Sequence, residues 1–189
     1  GRTTLKNSLV DVLEVFCNND YAVRTYLTKS ADDAERIVQE EGANYDVIVC
    51  AGGDGTLGNT VTGYMKSGIK VPLGYIPCGS TNDFARSMDI PRETVEAAEM
   101  IVKAEPFSID IGSLNDKNFV YVAAFGMFSD TSYATPQNMK NIFGHAAYVL
   151  QGIKSLANVP SYKMKVTIDG DEQEGEFIFG MVSLSLIHI

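Results

Sequence analysis

A glycine-rich segment between two apolar stretches constrains this chain more than any other feature. Residues 51–58 read Ala-Gly-Gly-Asp-Gly-Thr-Leu-Gly and follow the apolar run 45–50, which predicts a buried strand. Apolar residues from the end of the segment onward have the spacing of one helix face: Leu57, Val61, Tyr64 and Met65. A glycine turn at a helix N-terminus exposes backbone N–H groups and cradles phosphate. Asp54 would repel phosphate unless a metal ion or a substrate hydroxyl stands between them, so the segment predicts a nucleotide site with chemistry attached.

Bulk properties exclude several classes of protein. The chain has 189 residues, enough for one ordinary domain and part of another, and its net charge of −9 argues against nucleic-acid binding through bulk electrostatics. Cys17, Cys50 and Cys78 lack metal-site spacing and are expected to be buried, reduced thiols in a reducing cytoplasm. No apolar stretch approaches the roughly 20 residues of a membrane span, and no signal peptide is evident. Both ends look cut, so we expect a fragment.

Strands and helices alternate over the first half of the chain. This order predicts an α/β fold with a parallel sheet covered on both faces, whose ligands bind beyond the carboxyl ends of the strands. The predicted strands are Tyr21–Leu27, Tyr45–Ala51 and Val71–Ile76. Five helices are predicted: one contains Leu5–Phe16, one runs from an N-cap at Ser30 to Gly42, one follows the glycine turn and ends at Ser67, one includes Phe84–Arg86, and one begins at Pro91.

After Pro106 the pattern becomes antiparallel, so the predicted domains are residues 1–105 and 106–189. We expect strands Phe107–Leu114 and Phe119–Phe125 around a polar turn, a helix over Met139–Leu156, and strands Lys163–Ile168 and Glu176–Leu186 around Asp169–Asp171.

A second special turn, residues 77–83, follows the next predicted strand. Gly79 permits close backbone approach, Ser80 and Thr81 offer hydroxyls, and Asn82 adds an amide. Each turn alone could simply allow a helix to pack closely on the sheet, but two turns on adjacent strands favour one shared cleft. Arg86 could bind phosphate or pair with Asp83.

Other catalytic patterns are missing from the sequence. It contains no P-loop lysine motif, no Gly-x-Ser-x-Gly elbow and no Cys/His nucleophile arrangement. His145 and His188 are expected to be structural, and the aromatic residues between 127 and 148 are expected to form ordinary core, with the wall of an apolar pocket as the alternative.

Two successive segments resemble the diacylglycerol kinase catalytic domain in its soluble bacterial lipid-kinase branch. They are residues 52–56, Gly-Gly-Asp-Gly-Thr, and residues 77–86, Pro-Cys-Gly-Ser-Thr-Asn-Asp-Phe-Ala-Arg. Segments 109–112, 119–126 and 144–148 extend the resemblance along the chain. It implies an α/β ATP-binding domain followed by a β-sandwich domain for the lipid, incomplete here, with ATP and Mg²⁺ in the cleft between them. The candidate nucleotide-binding residues from both turns and from the family match are Thr28, Gly53, Asp54, Gly55, Thr56, Leu57, Gly58, Asn59, Gly79, Ser80, Thr81 and Asn82.

The resemblance implies an ATP-dependent kinase that phosphorylates diacylglycerol or a related lipid alcohol, with Asp54 as the catalytic residue and metal ligands unassigned. The sequence departs from the family at Gly58-Asn59, where Asn-Glu is common, and at Ser80, where threonine is usual. The family's general base is expected past Ile189, so the fragment is expected to be inactive alone. From this resemblance we expect a cytoplasmic enzyme that contacts the inner face of the membrane transiently. A sphingosine-kinase-like enzyme, a NAD kinase-like enzyme, a non-catalytic nucleotide- or lipid-binding module, and a homodimeric assembly remain open.

Overall fold

The computed structural model describes residues 2–126 and 161–184. The helices are α1 (Arg2–Cys17), α2 (Asp33–Glu41), α3 (Asp54–Ser67), α4 (Asp83–Ser87) and α5 (Thr94–Lys103), with a 3₁₀ turn at Gly42–Asn44. The strands are β1 (Ile48–Gly52), β2 (Leu73–Pro77), β3 (Gly112–Leu114), β4 (Lys117–Phe119), β5 (Val122–Gly126), β6 (Tyr162–Ile168), β7 (Asp171–Phe177) and β8 (Phe179–Ser183). The fold is mixed α/β with a parallel sheet and antiparallel strands, as predicted.

Strands β1 and β2 pair in parallel, and helices cover both faces of the pair. Because side chains alternate along a strand, each face has its own core. The α3-side cluster comprises Cys50, Leu57, Val61, Tyr75, Phe84, Ala85 and Val120. The α1-side cluster comprises Val12, Phe16, Ile76, Cys78, Ala97 and Ala98.

The small residues of α5 bring this helix close to the sheet. Ala97 and Ala98 are fully buried, and a Cβ at Gly74 would lie 2.9 Å from the Ile101 Cδ1. Helix α3 ends as predicted at Gly68, whose φ of 68° is a left-handed conformation that glycine adopts without strain.

The predicted strand Tyr21–Leu27 is wrong, because these residues form no strand. A strand needs a hydrogen-bonded neighbour, and the described residues provide none for this segment. Instead, side chains hold it: the Tyr26 and Tyr45 hydroxyls lie 2.7 Å apart, and the Tyr21 ring meets Phe16 edge to face. Helix α2 also begins later than predicted, with Asp32 rather than Ser30 at its N-cap.

The predicted strand Lys163–Ile168 is confirmed as β6, whereas the first antiparallel strands are shorter than predicted. The first hairpin joins β3 and β4, with Leu114 opposite Lys117. The predicted strand Phe119–Phe125 is split into β4 and β5, because Val120 turns into the α3-side cluster between them.

The predicted strand Glu176–Leu186 is also wrong, because Glu176 and Phe177 end β7, Ile178 interrupts the strand, and β8 begins at Phe179. Asp169 and Gly170 both have positive φ and form a two-residue turn, so β7 begins at once at Asp171, opposite Ile168. Strand β8 then pairs with β5. The predicted helix Met139–Leu156, the two histidines and the aromatic residues between 127 and 148 lie outside the described residues.

Two compact units divide the chain. Residues 2–121 with Leu184 form one, and 122–126 with 161–183 form the other. The domain boundary at residues 105 and 106 stays a prediction. Within the described ranges, no helix is both long and apolar enough to cross a membrane.

Cys50 and Cys78 are buried free thiols, whereas Cys17 is exposed. The expectation of burial was therefore wrong for Cys17, the last residue of α1, which lies outside the core that Val12 and Phe16 enter.

Candidate functional site

The first glycine turn presents the start of α3 without a side-chain cap. Gly53 is the N-cap residue, with extended backbone (φ −93°, ψ −178°), and no side chain caps the helix there. The first N–H groups of a helix have no partner within it, and the helix dipole adds partial positive charge at this end. Asp54 and Gly55, the first two residues of α3, are exposed. This helix start can therefore bind an anion from solvent.

The second turn lies directly against the first. The Cys78 N–H donates to the Gly52 carbonyl over 2.7 Å. A Cβ at Gly79 would lie 2.6 Å from the Gly53 Cα, and a Cβ at Gly53 would lie 3.1 Å from the Gly79 Cα. Only two glycines allow backbones to approach this closely. The prediction that the two turns are neighbours at the carboxyl ends of adjacent strands is confirmed.

Asn82 organises the second turn from within. Its backbone is left-handed (φ 53°, ψ 54°), which asparagine tolerates better than most residues. Its Oδ1 accepts the Gly79 N–H over 2.8 Å, and its Nδ2 donates to the Gly79 carbonyl over 3.0 Å. The Asn82 amide thus forms hydrogen bonds within the loop itself, whereas Ser80 and Thr81 are exposed to solvent.

A cavity of about 360 Å³ adjoins the start of α3. Four of its lining residues were predicted from sequence: Thr28, Gly55, Thr56 and Asn59. Four others were not: Lys29, Ser30, Ala31 and Ala34. Lys29, Ser30 and Ala31 directly follow Thr28, which was the available signal for them, whereas Ala34 is a buried residue of α2.

Hydrogen bonds fix the wall of this cavity. The Asn59 Nδ2 donates to the Ala31 carbonyl over 2.7 Å and ties the loop to α3. The Asp33 Oδ2 accepts the N–H groups of Lys29 and Ser30 over 2.7 and 3.0 Å. These two backbone bonds lower the pKa of Asp33 to about 2, so it remains an anion that holds the loop at neutral pH.

A second anchor joins α2 to α3. The Glu35 carboxylate forms ion pairs of 2.7 Å with both Lys117 and Lys66. Hydrogen bonds from Lys117 and then Lys66 lower its pKa. A Cβ at Gly63 would clash with the Glu35 carbonyl oxygen, so the two helices are in backbone contact.

Several predicted site residues do not line the cavity. Leu57 is 2 % exposed and belongs to the α3-side cluster, and its N–H donates to the Gly53 carbonyl. A Cβ at Gly58 would lie 3.9 Å from the Asn118 carbonyl oxygen, on the side of α3 that faces β4. Ser80 is also absent from the lining and stands on the second turn.

The charged and nucleophilic groups around the site are few. Burial raises the pKa of Cys50 to about 11 and also raises that of Cys78, so both thiols stay protonated. Arg86 is exposed and forms no ion pair with Asp83 or any other carboxylate in the described ranges. Among the described residues, Lys29 is the only basic side chain that lines the cavity.

Asp54 fits one mode of Mg²⁺ binding. The described residues contain no group of three or more histidine, cysteine or acidic side chains that could enclose a metal ion. Mg²⁺ usually needs no such cage, since it binds through one or two carboxylates together with substrate phosphates and water. An exposed carboxylate on the first residue of a helix whose start can bind an anion meets that requirement.

Comparison with known proteins agrees with this geometry. The family model of the diacylglycerol kinase catalytic domain matches residues 1–114. The chain is 34 % identical over 187 residues to a diacylglycerol kinase of Bacillus subtilis (strain 168), and 33 % identical over 189 residues to one of Staphylococcus aureus (strain JH9). Each alignment includes 98 % of this chain, which spans 62 % and 59 % of the two relatives.

Solved structures give the same result. A diacylglycerol kinase of Bacillus anthracis (strain Sterne) superposes with a TM-score of 0.71 and 27 % identity, over 96 % of this chain and 58 % of that one. Another crystal structure from the same strain gives a TM-score of 0.80 and 28 % identity, over 97 % of this chain and 61 % of that one. Turn order, sheet topology and these likenesses lead to one conclusion: the chain belongs to the diacylglycerol kinase catalytic-domain family.

Proposed function

We propose that this chain is the nucleotide-binding part of an ATP-dependent lipid kinase, which transfers the γ-phosphate of ATP to the hydroxyl of diacylglycerol or a related lipid alcohol. The observation that carries the proposal is the backbone contact between Gly53 and Gly79, which joins an uncapped helix start to a hydroxyl-bearing turn. The lipid substrate is taken from the names of the relatives.

The polyphosphate is proposed to lie at the start of α3. Its oxygens would accept hydrogen bonds from the backbone N–H groups at the start of this helix. The hydroxyls of Ser80 and Thr81 lie on the neighbouring second glycine turn. The remainder of the nucleotide would occupy the cavity beside Gly55 and Thr56, whose 360 Å³ is within the range of small-molecule sites.

Asp54 is proposed to act at the reacting phosphate. In the transfer, the lipid hydroxyl oxygen bonds to the γ-phosphorus, the bond to the bridging oxygen breaks, and ADP leaves. Bound Mg²⁺ would neutralise charge on the phosphate oxygens, with Asp54 as its protein ligand; alternatively Asp54 orients the acceptor hydroxyl. The base that takes the hydroxyl proton is proposed to lie outside these 189 residues.

Two experiments test the proposal. Calorimetry of this chain with Mg²⁺ and ATP should detect one site, and a chain that binds no nucleotide would refute the assignment. Transfer of radiolabelled phosphate from ATP should be measured with diacylglycerol micelles and, in parallel, with NAD, using the chain and a longer protein that matches the relatives in length. We expect the longer protein to label the lipid. Labelling of NAD would replace the lipid assignment, and binding with no transfer by either protein would favour a non-catalytic module.

A further inference from the structure

The Tyr75 side chain reaches both glycine turns from inside the core. Its ring is 4 % exposed, belongs to the α3-side cluster, and lies 6.1 Å from the Phe84 ring. Its hydroxyl donates to the Gly52 carbonyl over 3.1 Å and lies 3.4 Å from the Asn82 Oδ1. The Tyr75 hydroxyl therefore lies between Gly52, the last residue of β1, and Asn82, the residue that organises the second turn.

Neither acceptor depends on this hydroxyl for its only hydrogen bond. The Gly52 carbonyl also accepts the Cys78 N–H, and the Asn82 Oδ1 also accepts the Gly79 N–H. Burial, and then the negative charge of Asp54, raise the pKa of Tyr75, so its hydroxyl stays protonated and remains a donor. Removing it would leave no buried carbonyl unpaired, but would remove the side-chain link between the turns.

We propose that Tyr75 is a positioning residue, whose hydroxyl sets the spacing of the two glycine turns for the phosphate groups of the bound nucleotide. The inference rests on the proposed function, because it assumes that a polyphosphate lies across both turns. Tyr75 itself does not reach the ligand in this arrangement. It fixes the backbone that does.

Tyr75→Phe removes the hydroxyl and keeps the packed ring. Tyr64→Phe is a matched control, since the Tyr64 hydroxyl also donates to a backbone carbonyl, that of Val71, over 2.8 Å, at the far end of α3. Both variants lose one hydrogen bond, so their thermal unfolding without ligand should shift by similar amounts. Inorganic triphosphate with Mg²⁺ is the probe, and calorimetry on the whole chain measures its affinity.

We expect Tyr75→Phe to weaken triphosphate binding about three- to tenfold, the equivalent of one hydrogen bond, and Tyr64→Phe to leave it unchanged. Equal affinity of Tyr75→Phe and the unmodified chain, or equal weakening in both variants, would overturn the inference. Tyr75→Met, which also lacks the hydroxyl, should repeat the loss of Tyr75→Phe; unmodified affinity in this variant would likewise overturn it. If the unmodified chain binds no triphosphate, the proposed function fails at its phosphate site instead.

Discussion

Gly55→Ala separates the requirements of folding from those of ligand binding. Gly55 is the second residue of α3 and is exposed, and a Cβ placed on it would meet no atom of the described residues within 4 Å. Alanine is favoured over glycine inside a helix by about 0.5–1 kcal/mol, and this position near the helix start should yield the lower part of that range. The variant should therefore unfold at an equal or slightly higher temperature, by up to about 2 °C for a chain of this size.

Nucleotide binding should change in the opposite direction. The added methyl group would occupy the open space above the first turn of α3, where the proposed phosphate oxygens accept N–H groups. Loss of one charge-assisted hydrogen bond costs about 1.5–3 kcal/mol, which corresponds to roughly a ten- to hundredfold weaker affinity. Calorimetry with Mg²⁺ and ATP measures the affinity, and differential scanning calorimetry measures the unfolding.

Gly68→Ala is the matched control at the other end of α3. Across the part of the chain that the structure describes, a Cβ there also meets no atom within 4 Å, but the φ of 68° is strained for alanine. We expect this variant to lose about 1 kcal/mol of stability and to bind ATP normally. Unchanged ATP affinity in Gly55→Ala would show that no anion binds at the start of α3 and would refute the phosphate assignment. Lower stability of Gly55→Ala would show that the space beside Gly55 cannot hold a methyl group.

Three other outcomes follow from the site and its supports. Asp54→Asn in the longer protein should lower the rate of phosphate transfer at least about a hundredfold, and equal turnover would remove Asp54 from the mechanism. Lys29→Met should weaken ATP binding about two- to fivefold and make it less sensitive to salt, whereas Lys70→Met, an exposed lysine beyond the end of α3, should leave both unchanged. Glu35→Gln should destabilise the fold at neutral pH. Because the folded-state pKa of Glu35 lies below its ordinary 4.5, the ion pairs stabilise the fold above that pH. Urea unfolding should therefore show that the difference in unfolding free energy between the variant and the unmodified chain shrinks as the pH falls below 4.5. A difference that does not depend on pH would contradict this.

Local signals made the central part of the fold predictable. The buried runs that became β1 and β2 are apolar, and Gly68 marks the end of α3 in the sequence itself. The two turns could be placed side by side because parallel strands present their carboxyl ends at one edge.

The errors come from interactions that the local sequence does not contain. Residues 21–27 have strand-forming composition but no neighbouring strand to pair with in the described ranges. Strand β7 is a polar run with no apolar alternation, and its position is set by the two-residue turn before it. Lys29 and Ser30 line the cavity because the Asp33 carboxylate and the Asn59 amide fix their loop. The Glu35 ion pairs hold α2 near α3.

The glycines of the first turn separate a packing role from a binding role. Gly53 is explained by its contact with the Gly79 backbone, and a Cβ at Gly52 would lie 2.6 Å from the Thr56 Cβ, so both could serve packing alone. Within residues 2–126 and 161–184, Gly55 has no such neighbour, and glycine is unfavourable in a helix compared with alanine. Packing on the sheet therefore accounts for the shape of the turn but not for the residue at position 55. A ligand that must approach the exposed backbone at the start of α3 would account for the glycine at position 55.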